Sequence, residues 1–480
     1  MTNEGKATVN GSIQEVENDI IESDGHELSW RKYFIGPILG FYMLGYLMSF
    51  YTITEYTSHV WRNKKLSEAN LTSNITGASS CSTNESGLEV KTLKQASSLA
   101  SEYNMYYSLA QGIPAVVSNL ILGSYTDAFG RKFLLTVGII GTTIRVILSF
   151  FIVYFKKDLL FFIVACVIEG CTGQFVTTFQ VCLAYAGDIT KRGDKRTYGV
   201  AYVLFNLSVF GSLGSLAAGY VIETYTFYSS FLVAGVILIL TLLVMLTLLP
   251  ESLPPEKRLT DKSLITVMYN SFSFFFSKDI DNNRWKYRLI IIAHAFCDFS
   301  FLGRILVETL YQLAEPFCWS VEQIGWYGTA RVFGMSLFSV ALVKIYKFFL
   351  SDISLAIVGT IAYAVSFLLT ALANNNTMLY AAAAVSCFGG LEGTMTRSIV
   401  SSMTSPQRQG AIFSAFAAVE VIVNLLSNVG TSAIYSLTVQ FSRGFVFYVM
   451  AGFDSVATII LIILYIGCKM EKKTITIETL

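Results

Sequence analysis

His294 and Asp298 stand four residues apart in the stretch "AHAFCDFSFLGRILVE", and Arg304 and Glu308 repeat that spacing further along. On a helix, side chains at this spacing share one face. An imidazole beside a carboxylate can take up and release a proton near neutral pH, so the first pair is a candidate proton site. The second pair reads equally well as a structural ion pair. A later stretch, "SCFGGLEGTMTRSIV", sets Glu392 among Gly389, Gly390 and Gly393, with Arg397 a little over one turn beyond. Glycines at this density let a neighbouring backbone approach closely, or unwind the helix around a polar site. A guanidinium matches the geometry of a carboxylate ligand. Arg397 has Gly393 and Thr394 one turn before it and Val400 and Ser401 one turn after, so no acid at those positions neutralises it locally. Glu169 is a further isolated acid in an apolar run. Arg397, Glu392, Glu169, His294 and Asp298 are therefore the candidates for holding an anionic solute or a proton.

The elements that must position these residues are membrane spans. The chain has 480 residues, 53% of them hydrophobic and only 14% charged, against about 25% charged in soluble proteins. Its mean hydropathy is +0.56. Runs of about 20 apolar residues, enough to cross a hydrocarbon core, fall near 33–55, 104–125, 133–155, 159–186, 198–221 and 227–249. A second set falls near 288–312, 322–343, 352–373, 378–402, 410–436 and 445–468. The expected fold is an all-α polytopic membrane protein with two six-helix halves, 33–249 and 288–468, joined by a polar linker at 250–287. Ionisable residues within the runs are few, and each costs about 2.5–3.5 kcal/mol at mid-membrane on insertion scales, so they must pair, face a polar interior or bind something. Besides those above they are Arg145, Arg331, Glu420 and Asp454.

Basic residues at 131–132, 191–196, 257–278 and 344–347 fall in alternate loops, which places those loops and both tails, 1–32 and 469–480, in the cytosol. The polar N-terminal tail has no charged-then-apolar leader, so the first span is expected to act as signal anchor. The loop at 56–103 then lies outside, and it carries three glycosylation acceptors, Asn70, Asn74 and Asn84, each with Ser or Thr two residues on. Cys81 and Cys318 are the two cysteines expected outside the spans, in a compartment that permits a disulfide, and are expected to pair. The net charge of +1, without a basic block, argues against a nucleic-acid partner. No HExxH, G-x-S-x-G or Walker pattern is present, and no cysteine pair is spaced for metal, so neither enzymatic activity nor a cofactor is expected.

The connector "GSYTDAFGRK", between the second and third runs on the cytosolic side, resembles the G-x-x-x-D-x-x-G-R-K/R signature of the major facilitator superfamily. "YQLAEPFCW" with Ile324 and Gly325, and "QGAIFSAF" at 409–416, are similar to the proton-coupled folate transporter family within it. The resemblance covers about residues 33–470 and implies two halves that rock around a central cavity. It implies a cytosolic latch built from Gly123, Asp127, Gly130, Arg131 and Lys132, in which Asp127 faces the start of the eleventh span. It also implies that Arg397 handles substrate and protons and that Cys318 is an outer-face disulfide cysteine. Two family positions depart: Leu204 replaces the acid of the fifth span and Phe301 the histidine of the seventh.

The expected function is secondary active transport of an organic anion such as folate, with proton coupling as an option, by alternating access. Another anionic metabolite such as a muropeptide, or a non-transporting receptor on the same fold, are the alternatives. Expected partners are a small organic solute, protons and the lipid bilayer. The tail stretch "EVENDII" has Val16 where an endosomal sorting signal places its acid, so the plasma membrane is preferred over endosome or lysosome.

Overall fold

The computed structural model describes residues 30–69, 87–190, 194–253, 284–338, 343–404 and 409–478. Asn70, Asn74, Asn84, Cys81, most of the expected linker and most of the N-terminal tail lie outside them. In chain order the helices are α1 (Ile35–Glu68), preceded by a 3-10 turn (Trp30–Phe34), α2 (Gly87–Phe129), α3 (Arg131–Tyr154), α4 (Phe161–Cys171), α5 (Gln174–Ile189), α6 (Asp194–Thr224), α7 (Phe227–Leu248) and α8 (Arg284–Leu313). There follow α9 (Val321–Ser336), α10 (Val343–Phe349), α11 (Asp352–Ala371), α12 (Asn376–Ser386), α13 (Leu391–Met403), α14 (Gln409–Thr438) and α15 (Phe445–Glu478). Helices satisfy their backbone groups internally, as lipid requires.

Among the described residues, nine stretches are long and apolar enough to cross a membrane, one of them running through α4 and α5 together. The second, eighth and tenth expected spans miss that standard for identifiable reasons. α2 carries polar residues through its outer part, α9 stops at Ser336, and α12 and α13 are parted at residues 387–390. Helix also runs past the apolar stretches, because chain outside the bilayer core can stay helical. α1 reaches Glu68 and α2 begins at Gly87, so the outer loop is shorter than 56–103.

Chain turns where the sequence supplies caps. Ser320 accepts from the Gln323 backbone while the Gln323 side chain accepts from the Ser320 backbone, and Thr226, Ser351 and Asn375 cap α7, α11 and α12. Gly173, between α4 and α5, has φ +88°, a conformation that only glycine adopts without strain. Apolar stripes remain exposed: Leu232, Val236, Ile239, Leu240 and Leu243 on α7, and Ile459, Ile463 and Ile466 on α15. In a bilayer these faces meet lipid tails.

The packing repeats between the halves. α1 lies against α6 and α7, as α8 lies against α14 and α15; α3 packs on α7, as α11 packs on α15. Each half also breaks one span in the corresponding place, α4–α5 in the first and α12–α13 in the second. The halves meet where α2 packs on α14 and α6 on α9. Ser97, Ser98 and Ser101 of α2 bond Tyr435 Oη, Ser436 O and Ser432 O, and Thr329 of α9 donates to Ser212 O of α6 at 2.6 Å. Gly219 permits the α6–α9 approach, since a Cβ there would stand 2.5 Å from Val321 O. These hydrogen bonds between the halves fall toward the outer ends, taking the orientation from the basic loops. The outer face is thus closed.

Candidate functional site

Three helices of the second half converge on one polar cluster. The seventh span (α8) supplies His294 and Asp298, the tenth (α13) Glu392 and Arg397, and the eleventh (α14) Glu420. His294 is buried with partners on both ring nitrogens: Nδ1 lies 3.1 Å from Glu392 Oε1, and Nε2 lies 3.3 Å from both Asp298 Oδ2 and Glu420 Oε1. Glu420 Oε1 also accepts from Arg397 Nη2, and Arg397 Nη1 donates to Gly393 O at 3.1 Å. The Phe416 ring lies beside the imidazole, tilted by 38° with ring centres 5.4 Å apart. One carboxylate oxygen of Glu420 therefore bridges the imidazole and the guanidinium.

The break between α12 and α13 sets this geometry. The backbone turns through residues 387–390, and Glu392 lies in the first turn of α13, where the positive end of the helix favours a carboxylate. Gly389 sits on the Tyr363 ring of α11, where a Cβ would stand 2.2 Å from Tyr363 Cε1. The Arg397 side chain keeps 43% of its area exposed, while Glu420 keeps 18% and Asp298 17%. The cluster is thus a guanidinium held by an acid on one side and open on the other, with a histidine relay behind it. Such a set can exchange the internal acid for an external anion and can accept protons as it does so.

Arg397, Glu392, His294 and Asp298 are brought together, and the acid that Arg397 lacks one turn away on its own helix comes from α14. Glu420 was visible as an ionisable residue within a span, but nothing local tied it to Arg397. Glu169 is not part of the cluster. It is buried in the first half, with Oε2 2.7 Å from Arg145 Nε, Oε1 accepting from Thr142 at 2.8 Å, and Gln111 bonding the other oxygen. Arg304 and Glu308 pair within α8 at 2.6 Å, and Arg331 of α9 joins at 3.2 Å. Buried Tyr327 donates to the same carboxylate at 3.1 Å, so that group is internally satisfied. Phe301 packs against Tyr363 at 6.0 Å.

At the cytosolic end, Gly123 and Asp127 fall on the last turns of α2, where side chains are not among those described. Gly130 precedes α3, and the backbone N–H groups of Arg131 and Lys132 donate to Glu251 Oε1 and Oε2 at 2.9 and 3.2 Å. Arg131 Nε donates to Asp188 at 3.0 Å, and Lys132 Nζ donates to Leu246 O at 2.8 Å. Sequence reasoning missed Glu251 and Asp188, because Asp188 lies in the last turn of α5 and Glu251 beyond α7, both far along the chain from the motif they hold. On the outer face Cys318 is disulfide-bonded, whereas Cys166, Cys171, Cys182, Cys297 and Cys387 are free thiols.

A family model, the Major Facilitator Superfamily, matches residues 39–307. The chain is 26% identical to a lysosomal proton-coupled steroid conjugate and bile acid symporter of Homo sapiens, over 82% of this chain and 87% of that protein. It is 24% identical to a proton-coupled folate transporter of Rattus norvegicus, over 75% and 78%. Among solved structures it is similar to the human organic anion transporter, with TM-score 0.59, 13% identity and coverage of 90% of this chain and 99% of that one. A peptide transporter crystallised with sulfate gives TM-score 0.59 at 14% identity, over 91% and 94%. These solved structures speak for the fold alone. A helical chain with repeated halves, broken spans in matching places and the signature connector is accounted for in one way: it is a multi-pass membrane protein that belongs to the Major Facilitator Superfamily.

Proposed function

We propose that the protein is a proton-coupled secondary transporter of an organic anion, working by alternating access without a catalytic step. The observation that carries this reading is the half-exposed Arg397 side chain, whose guanidinium bonds Glu420 and the carbonyl of Gly393. An entering carboxylate, sulfate or sulfonate would take the place of Glu420 on Arg397. The displaced Glu420 carboxylate is then costly inside the membrane unless it gains a proton, and His294 stands within reach to share one. Anion binding and proton uptake are thereby linked, which is the requirement of symport.

Folate, steroid conjugates and bile acids, the solutes named for the two relatives, are the first to test, and all include anions. The plasma membrane is the placement read from the sequence. The lysosomal relative favours a second placement, in which the outer face looks into an acidic lumen. Uptake of each labelled solute should be measured in cells at outside pH 5.5 and 7.4, corrected for surface protein, for the wild type, Arg397→Lys and Arg397→Ala. The lysine variant should show weakened apparent affinity, and the alanine variant near-complete loss of uptake with the protein still at the membrane. Unchanged kinetics in Arg397→Ala would remove Arg397 from the site and favour a non-transporting receptor or another anion contact.

A further inference from the structure

Glu55 belongs to none of the sites above. It lies on α1 toward its outer end and is only 4% exposed. Its Oε1 has no hydrogen-bond partner, and the one charge that acts on it is that of Arg62, through space. It lines a cavity at the outer closure that both halves build: Ser97 on α2 and Phe227 on α7 come from the first half, Leu310 and Arg443 from the second. The charged and titratable groups around this cavity are His59 and Arg62 on α1, Lys94 on α2, and Glu315 and Arg443 across the interface. Most of them are engaged elsewhere. His59 bonds Asn63 at 3.2 Å, Lys94 donates to Gln440 O at 3.3 Å, and Arg443 pairs with Glu315 at 3.2 Å. Arg62 has a bonding interaction of its own, and its charge also acts on Glu55 through space.

An enclosed carboxylate with no hydrogen bond to its oxygen is disfavoured when ionised and far less so when protonated, even with one charge nearby. Its enclosure depends on the outer face being shut, because residues of both halves form the walls. With the halves apart, water enters and the group ionises freely.

We propose that Glu55 is a proton-binding site of the outer gate, taking a proton from the outside compartment as the two halves close over it. Closure and protonation are then one linked equilibrium. Acidifying the outside favours the closed outer face by up to about tenfold per pH unit while the open-state group is ionised. This goes beyond the reading of Arg397 and its cluster, since it concerns the gate and not the solute site.

The test needs no substrate. Spin labels placed at Tyr225 and Phe441, exposed outer-end positions on opposite halves, report gate closure through their distance distribution. The labelled full chain in lipid nanodiscs should be measured at pH 7.5 and 5.5, with and without Glu55→Gln. In the wild type the short-distance population should gain at least tenfold over the long one at pH 5.5. The amide mimics the protonated acid, so Glu55→Gln should hold the short distance at both pH values. A wild-type distribution that ignores pH overturns the proposal. So does a pH response that survives in Glu55→Gln, because the proton would then belong to another group. Should the glutamine variant fail to fold, Glu55→Asp, which keeps the acid, must retain the pH response. Loss of Arg397-dependent uptake would leave this result untouched, so the two readings fail separately.

Discussion

Replacing Glu420 by glutamine separates anion binding from proton coupling. On the proposed scheme an anion entering the wild type displaces Glu420 from Arg397. Breaking a fully buried ion pair costs about 3–5 kcal/mol, whereas an exposed one is worth about 0–1 kcal/mol. With Arg397 43% and Glu420 18% exposed, this pair belongs between the limits, and solvent at the open side of the guanidinium brings it toward the lower one. About 1.5 kcal/mol is the resulting cost to the anion, a factor of about ten in affinity. Arg397 keeps its bond to Gly393 O at 3.1 Å, so the side chain should stay in place when the acid is neutralised. Glu420→Gln should therefore bind the anion about tenfold more tightly at pH 7.5, with little further gain at pH 5.5. Uptake driven by a pH gradient should fall severalfold, because the proton acceptor is gone. Equilibrium binding of the labelled solute to purified protein at both pH values provides the measurement, with uptake in parallel. Weaker binding in Glu420→Gln would mean that Glu420 contacts the solute itself, and the displacement scheme would be wrong.

Three other outcomes follow from contacts already described. Gly389→Ala presses a methyl group into the Tyr363 ring, 2.2 Å from Cε1, and should cost about 1–3 kcal/mol of stability, read as a lower melting temperature of the purified protein. Glu251→Gln weakens two backbone bonds at the start of α3 by removing their charge and should lower the melting temperature by about 1–2 kcal/mol equivalent, while Asp127→Asn should impair uptake with normal surface expression. Non-reducing peptide mapping should recover Cys318 joined to Cys81, and either cysteine found as a free thiol would defeat that pairing.

The parts of the site that were legible in the sequence share a helix. His294 with Asp298 and Arg304 with Glu308 follow from the pitch of one element, and both meet as that pitch requires. The break beside Glu392 was legible because glycine itself is the cause. Glu420 and Arg397 were each visible, but their meeting depends on how α13 and α14 pack, which no local pattern encodes. The same holds for Glu251, which reaches α3 from beyond α7. Glu55 was obscured differently. It stands at the edge of an apolar run, where an acid ordinarily faces water, and only the closure of two distant halves encloses it.

The central claim is coupling between an organic anion and protons through one site. Purified protein in liposomes, given an inward proton gradient and a labelled anion from those named for the relatives, tests it without other transporters present. The account predicts accumulation above the outside concentration that collapses when a protonophore dissipates the gradient, and that is absent in Arg397→Ala. Accumulation that ignores the protonophore, or that persists in Arg397→Ala, would contradict it.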